Sequence, residues 1–184
     1  MKKILLAALI CAMTSLTGCD KLKHDFEVNN VKFAFDATVT NNVATTHAAV
    51  ATRAGTDNTF AVTSTVELFD MGSSELVEYA HKVNSVVVNH TLLNITAVPA
   101  GNYNVANVTL TANGVAGSLV VPSYTLGSAF PPPANMNSYT AALFKKLISA
   151  KQVTVTITGQ TDAPVGTEIK ISYESDLLIK ASVL

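Results

Sequence analysis

Residues 31–39 read VKFAFDATV, and their alternation decides the fold. Val31, Phe33, Phe35, Ala37 and Val39 fall on one side of an extended chain, with Lys32, Asp36 and Thr38 on the other. Successive side chains of a strand point to opposite faces, so a period of two marks a strand with one face in a core and one in water. The pattern returns at Phe60, Val62, Ser64, Val66 and Leu68, and again at Val153, Val155 and Ile157. It runs longest through Ile169, Ile171, Tyr173, Ser175, Leu177 and Ile179. Val and Thr dominate these runs, as a pleated, half-buried surface favours.

Between 85 and 98 the parity changes. Val86 and Val88 are even-numbered, whereas Leu93 and Ile95 are odd. One extra residue near Asn89-His90-Thr91 restores a common inward face, which predicts a β-bulge there. VPAGNY (98–103) supplies a turn into a strand around Val105–Thr111, and Val115–Val121 is a further candidate strand. Residues 41–58, rich in Ala, Thr and Asn, read as a long loop or a ragged edge strand.

Two stretches follow a helical period instead. SSELVEYAHKV (73–83) puts Leu76, Ala80 and Val83 on one stripe, with Glu75, Glu78 and Lys82 outside it. NMNSYTAALFKKLISAK (135–151) does the same with Tyr139, Leu143 and Leu147. Each helix is followed by strand, turn and strand, which suggests a pseudo-repeat over 73–111 and 138–180. The whole reads as mainly β: an antiparallel β-sandwich, Ig-like in general architecture, whose two short helices cap its ends or an open face. A partly closed β-barrel is the alternative.

The N-terminus has a different character. Met1-Lys2-Lys3 precedes ILLAALICAM (4–13), ten apolar residues that reach roughly 15 Å as a helix, half of a ~30 Å hydrocarbon core. That is the layout of a secretory signal peptide rather than of a membrane span. It ends in Leu16-Thr17-Gly18-Cys19, which resembles the lipobox of bacterial lipoproteins. The resemblance implies removal of residues 1–18, a diacylglyceryl group on the Cys19 sulfur and usually an acyl chain such as palmitate on its new amine. It implies a membrane partner held through those chains, and a place in the cell envelope. Two or three chains anchor a protein stably where one does so only marginally. Asp20 after the Cys resembles the inner-membrane retention mark of enteric bacteria. The run Lys21, Lys23, Asp25 and Glu27 instead resembles the surface-export signal of Bacteroidetes-type lipoproteins, and the outer membrane is the favoured address. Residues 19–30 then read as a polar tether, and 31–184 as one domain.

Composition narrows the chemistry. Cys11 lies in the removed segment and Cys19 is the acylation site, so the folded part has neither disulfide nor catalytic thiol. Lys2 and Lys3 leave with the signal; the remaining 166 residues carry ten basic and thirteen acidic side chains, a formal charge of −3. Such a balance argues against a nucleic-acid partner. No nucleophile elbow and no phosphate-binding glycine array is present, and no cofactor is implied. Among the histidines, His24 lies in the tether, His47 in the 41–58 loop and His90 at the expected bulge. Glu75, Glu78 and His81 share a helix face that a metal could use, but the solvated face of an amphipathic helix explains them far better, and no metal site is expected.

The segment YTLGSAFPPPANMNSY (124–139) stands out: Phe130 precedes three prolines, which stiffen an extended path and supply no amide donors. An aromatic side chain on a stiff loop loses little entropy on binding. Tyr103, Tyr124, Phe130 and Tyr139 are therefore the candidate contacts with a partner, an envelope protein or a glycan. The expected function is non-catalytic binding or scaffolding. The alternatives are a glycan-directed hydrolase using Asp70, Glu75 or Asp162, and a carrier of an apolar ligand.

Overall fold

The structure, a computed structural model, describes residues 22–41, 58–71 and 74–183, without the side chains at 22–24, 26, 70, 71, 74, 75 and 183. Leu16 to Cys19, which resemble a lipobox, and residues 42–57, expected to form a loop or edge strand and including His47, lie outside the described residues. The strand with the longest unbroken alternation, β9 (Glu168–Val183), is the one around which the first sheet is built. Its odd-numbered residues from Ile169 to Ala181 are all buried. It lies between β1 (Leu22–Thr38) and β4 (Val83–Val98), antiparallel to both.

Both neighbours change parity where they pass Asp176. In β1, Val28 faces Leu177 and Val31 faces Ser175, so Asn29 and Asn30 together oppose Asp176. Asn30 adopts φ 57°, a left-handed conformation that Asn tolerates better than most residues, and its amide donates to Asp176 Oδ1 at 2.8 Å. In β4, Val88 faces Leu177 while His90 faces Asp176, leaving Asn89 as the extra residue. The bulge expected from the parity of Val88 and Leu93 is therefore present. Its counterpart in β1 corrects another expectation: residues 22–30 are not a tether but the first half of β1. Lys23, Asp25 and Glu27 alternate with Leu22, Phe26 and Val28, in the parity opposite to that of 31–39. Asp25 and Glu27 are exposed and Val28 is buried.

The second sheet runs β2 (Thr40–Asn41), β3 (Asn58–Glu67), β8 (Gln152–Thr161), β5 (Asn104–Ala112) and β6 (Leu119–Val121), with β7 (Tyr124–Thr125) also paired to β5. It too contains a bulge. Asn107, at φ 53°, and Val108 oppose Gly159 alone, so burial passes from Val105 to Val108, Leu110 and Ala112. On its other side Gly159 faces Phe60, whose ring lies where a Cβ on residue 159 would be, 2.3 Å from the nearest ring carbon. A glycine is required there because the buried ring occupies that space. The outer face of this sheet is threonine: Thr63 and Thr156 share a hydroxyl hydrogen bond at 3.0 Å, and Thr65 and Thr154 one at 3.4 Å. The candidate strand 115–121 shrinks to Leu119–Val121, because Gly114 and Gly117 both turn through positive φ.

The two sheets face each other as a mainly β, antiparallel sandwich that does not close into a barrel. The longer helix, α2 (Met136–Ala150), lies against the sandwich and contributes its buried face to the core. It buries Met136, Tyr139, Thr140, Leu143, Phe144, Leu147 and Ile148 along one stripe and packs on β4 and β8, while Phe144 stacks on Phe33 of β1 at 5.8 Å. The shorter helix, α1 (Ser74–Tyr79), lies between 3-10 turns at Leu68–Met71 and Ala80–Lys82, and this segment carries the chain from β3 to β4. The two helix–strand–strand stretches differ in direction. The first runs from β4 in the three-stranded sheet to β5 in the other, and the second from β8 back to β9. No helix among the described residues is long and apolar enough to cross a membrane.

Candidate functional site

Three of the four aromatic candidates gather at one end of the sandwich. The chain leaves β4 at Val98, passes the cis peptide to Pro99 and returns through Tyr103 into β5. Asn104 then pairs with Thr125 and Val105 with Tyr124, so β7 lies on the mouth of β5. The Leu126 amide donates to the Tyr103 carbonyl at 2.8 Å, and Thr125 Oγ1 donates to Asn104 Oδ1 at 2.7 Å. These bonds join the 99–103 and 122–128 loops into one unit.

Within that unit Tyr124 and Phe130 meet edge to face at 5.6 Å, a geometry that their ring quadrupoles favour. Tyr103 folds back over Gly101, where an added Cβ would lie 2.5 Å from its ring. All three rings are half-buried, resting on the core with part of each still in water. Burial pushes the Tyr124 phenol up to about 12. A shallow depression of about 360 Å³ beside Tyr124 is lined by Asn104, Val105, Ala106, Ser123 and Thr125. A second, of about 210 Å³, lies between Gly101, Asn102 and Leu126. Half-buried rings with amide and hydroxyl groups between them suit contact with a sugar ring or a peptide.

Tyr139 does not belong to this surface. It is 4% exposed on the buried stripe of α2, and its hydroxyl has no complete hydrogen bond, lying only near the backbone of Ala112. Burial pushes it up to about 12, opposed by that backbone group. Near it Thr140 Oγ1 donates to the Met136 carbonyl at 2.7 Å and shares a hydrogen bond with the Tyr173 hydroxyl. Thr91 and Ser175 extend this chain of hydroxyls, which pins α2 to β4 and β9.

The acidic candidates separate differently. Asp162 is a clamp: its Oδ1 accepts the Asn104 amide and its Oδ2 accepts Asn104 Nδ2, both at 2.7 Å. No local signal in the sequence points to this partner, which is 58 residues away. A carboxylate engaged on both oxygens holds the loop unit and is poorly placed to take a proton from a substrate. Asp70 lies in the first 3-10 turn and Glu75 in α1, their side chains outside the described set. Glu78 and His81 are exposed, and no metal-ligating cluster occurs among the described residues. His90 lines a cleft of about 260 Å³ between the β4 bulge and Pro132, Pro133 and Asn137, a second, smaller polar surface.

No protein-family model matches the chain, and neither a curated protein nor a solved structure matches it.

Proposed function

We propose that this chain is a lipid-anchored protein of the bacterial envelope, favoured at the outer membrane, that binds or scaffolds a partner without catalysing a reaction. One piece of geometry carries the reading. β4 ends at Val98 opposite Glu168, which also faces Thr38 at the far end of β1 from Leu22. The 99–103 loop and the Tyr124 hairpin therefore lie at the end of the three-stranded sheet opposite to the N-terminus. Sixteen residue steps of about 3.3 Å separate those ends by about 50 Å. A lipid on Cys19 holds the first end at the membrane and presents Tyr103, Tyr124 and Phe130 at the other, to an envelope protein or a glycan. Two observations disfavour the alternatives. Asp162, one of the three carboxylates named for the hydrolase reading, is engaged with Asn104, and the space a carrier would leave open is filled by α2, Phe33, Phe60 and Tyr173.

The test is capture of envelope material by the immobilised protein, with Phe130→Ala compared against the wild type. Capture should fall about tenfold or more, equivalent to the loss of a central aromatic contact. The melting temperature should fall only slightly, because Phe130 is half-buried. Unchanged capture, or a large loss of stability, would show Phe130 to be a packing residue and sink the loop-end reading.

A further inference from the structure

The proposed anchor leaves almost no slack between lipid and fold. Three peptide steps separate Cys19 from Leu22, where β1 begins. A chain spans at most about 3.6 Å per residue, so Leu22 lies within roughly 11 Å of Cys19 whatever path joins them. From Leu22 onward β1 is tied into the sheet, with Leu22 facing Val183 and Asp25 facing Lys180. Val83 and Ser85 of β4 face Ala181 and the same Lys180. This end of the three-stranded sheet is therefore held in the headgroup layer.

Its outer surface has chemistry to match. Asp25, Lys180 and Ser85 stand abreast on three strands, with Asp25 and Lys180 exposed. The ladder slips between Val83 and Ser85, and the extra residue, Asn84, is held by a 2.6 Å hydrogen bond from its Nδ2 to Ser182 Oγ. Together with Ala181 these residues line a groove of about 470 Å³, larger than either depression at the loop end. The groove offers one carboxylate beside one ammonium, with neutral hydrogen-bonding groups on the other side of the ammonium. An exposed Lys–Asp neighbour pair gains little from its own attraction, so it exchanges readily for ligand charges of both signs.

We infer that this groove takes the headgroup of a zwitterionic phospholipid, with Lys180 on the phosphate and Asp25 on the ammonium. The inference rests on the lipid-anchor reading and adds the orientation of the domain on the membrane. An anionic headgroup without an ammonium leaves Asp25 facing like charge.

Because the folded part contains no cysteine, a single introduced one can carry a fluorophore. The acylated protein, labelled at His81→Cys beside the groove or at Asn102→Cys at the loop end, is reconstituted into vesicles with an acceptor on the headgroups. Transfer from position 81 should exceed that from position 102 several-fold. It should be greater on phosphatidylethanolamine than on phosphatidylglycerol, and Lys180→Glu should abolish that preference without changing the acyl content. An acylated protein whose two positions transfer equally overturns this inference alone. The opposite lipid preference, or none, overturns the headgroup assignment. A protein without acyl chains overturns the anchor reading and this inference with it.

Discussion

Phe144→Ala is expected to cost about 3–5 kcal/mol, the range for emptying a fully buried aromatic site. Phe144 is 0% exposed and stacks on Phe33, so its ring connects α2 to β1 across the core. Shortening it leaves a cavity bounded by two sheets that cannot close around it independently. Domains of this size have roughly 5–15 kcal/mol in total, so the variant would be folded but marginal. The melting temperature should drop by roughly 6–20 °C, and the urea midpoint should fall with the slope unchanged. Phe144→Leu should recover most of the loss. A cost under about 1 kcal/mol would mean that α2 is not part of the core.

The second large effect is alkaline. Burial pushes Tyr173 up to about 12, opposed by its hydrogen bond with Thr140, and burial pushes Tyr124 and Tyr139 up to about 12 as well. In the unfolded chain a tyrosine titrates near 10. Below about pH 9 both states keep these protons, and stability is independent of them. Between 10 and 12 the unfolded chain has released protons that the folded one still holds, so stability falls as pH rises through that window. Tyr173 is 1% exposed, and its shift alone corresponds to about 3 kcal/mol. Melting should be flat from pH 7 to 9 and then fall by roughly 6–12 °C from this group alone. Tyr173→Phe should melt lower at neutral pH, where the Thr140 hydrogen bond is lost, but show a shallower alkaline decline. An equal decline in the variant would refute the assignment.

The strands legible in the sequence are those whose parity never changes. β9 alternates from Ile169 to Ala181 without a break, and 31–39 lies wholly beyond its bulge. The Asn89 bulge could be read because Val86 and Val88 on one side, and Leu93 and Ile95 on the other, expose the change of parity. The same event at Asn29-Asn30 was hidden: on one side of it Lys23, Asp25 and Glu27 dominate, and their charge gave the look of a tether. The parity change in β5 at Asn107 escaped in the same way, since Val105 stands alone before it. Long-range pairing is harder still. Nothing local tells Asp162 to hold Asn104, or Phe60 to cover Gly159. The aromatic loop unit was legible as a set of rings near turns and prolines. Tyr139 was the exception, and its place on the stripe with Leu143 and Leu147 already marked it as core.

The central claim is that Cys19 anchors a domain whose opposite end carries the binding loops. It is tested most directly by the mass of the N-terminal peptide released from protein in the membrane fraction. The peptide should begin at Cys19 and carry a diacylglyceryl group, with or without an amide-linked chain, and Cys19→Ala should leave the membrane fraction. An N-terminal peptide that retains residues 1–18, or that begins at an unmodified Cys19, would contradict it.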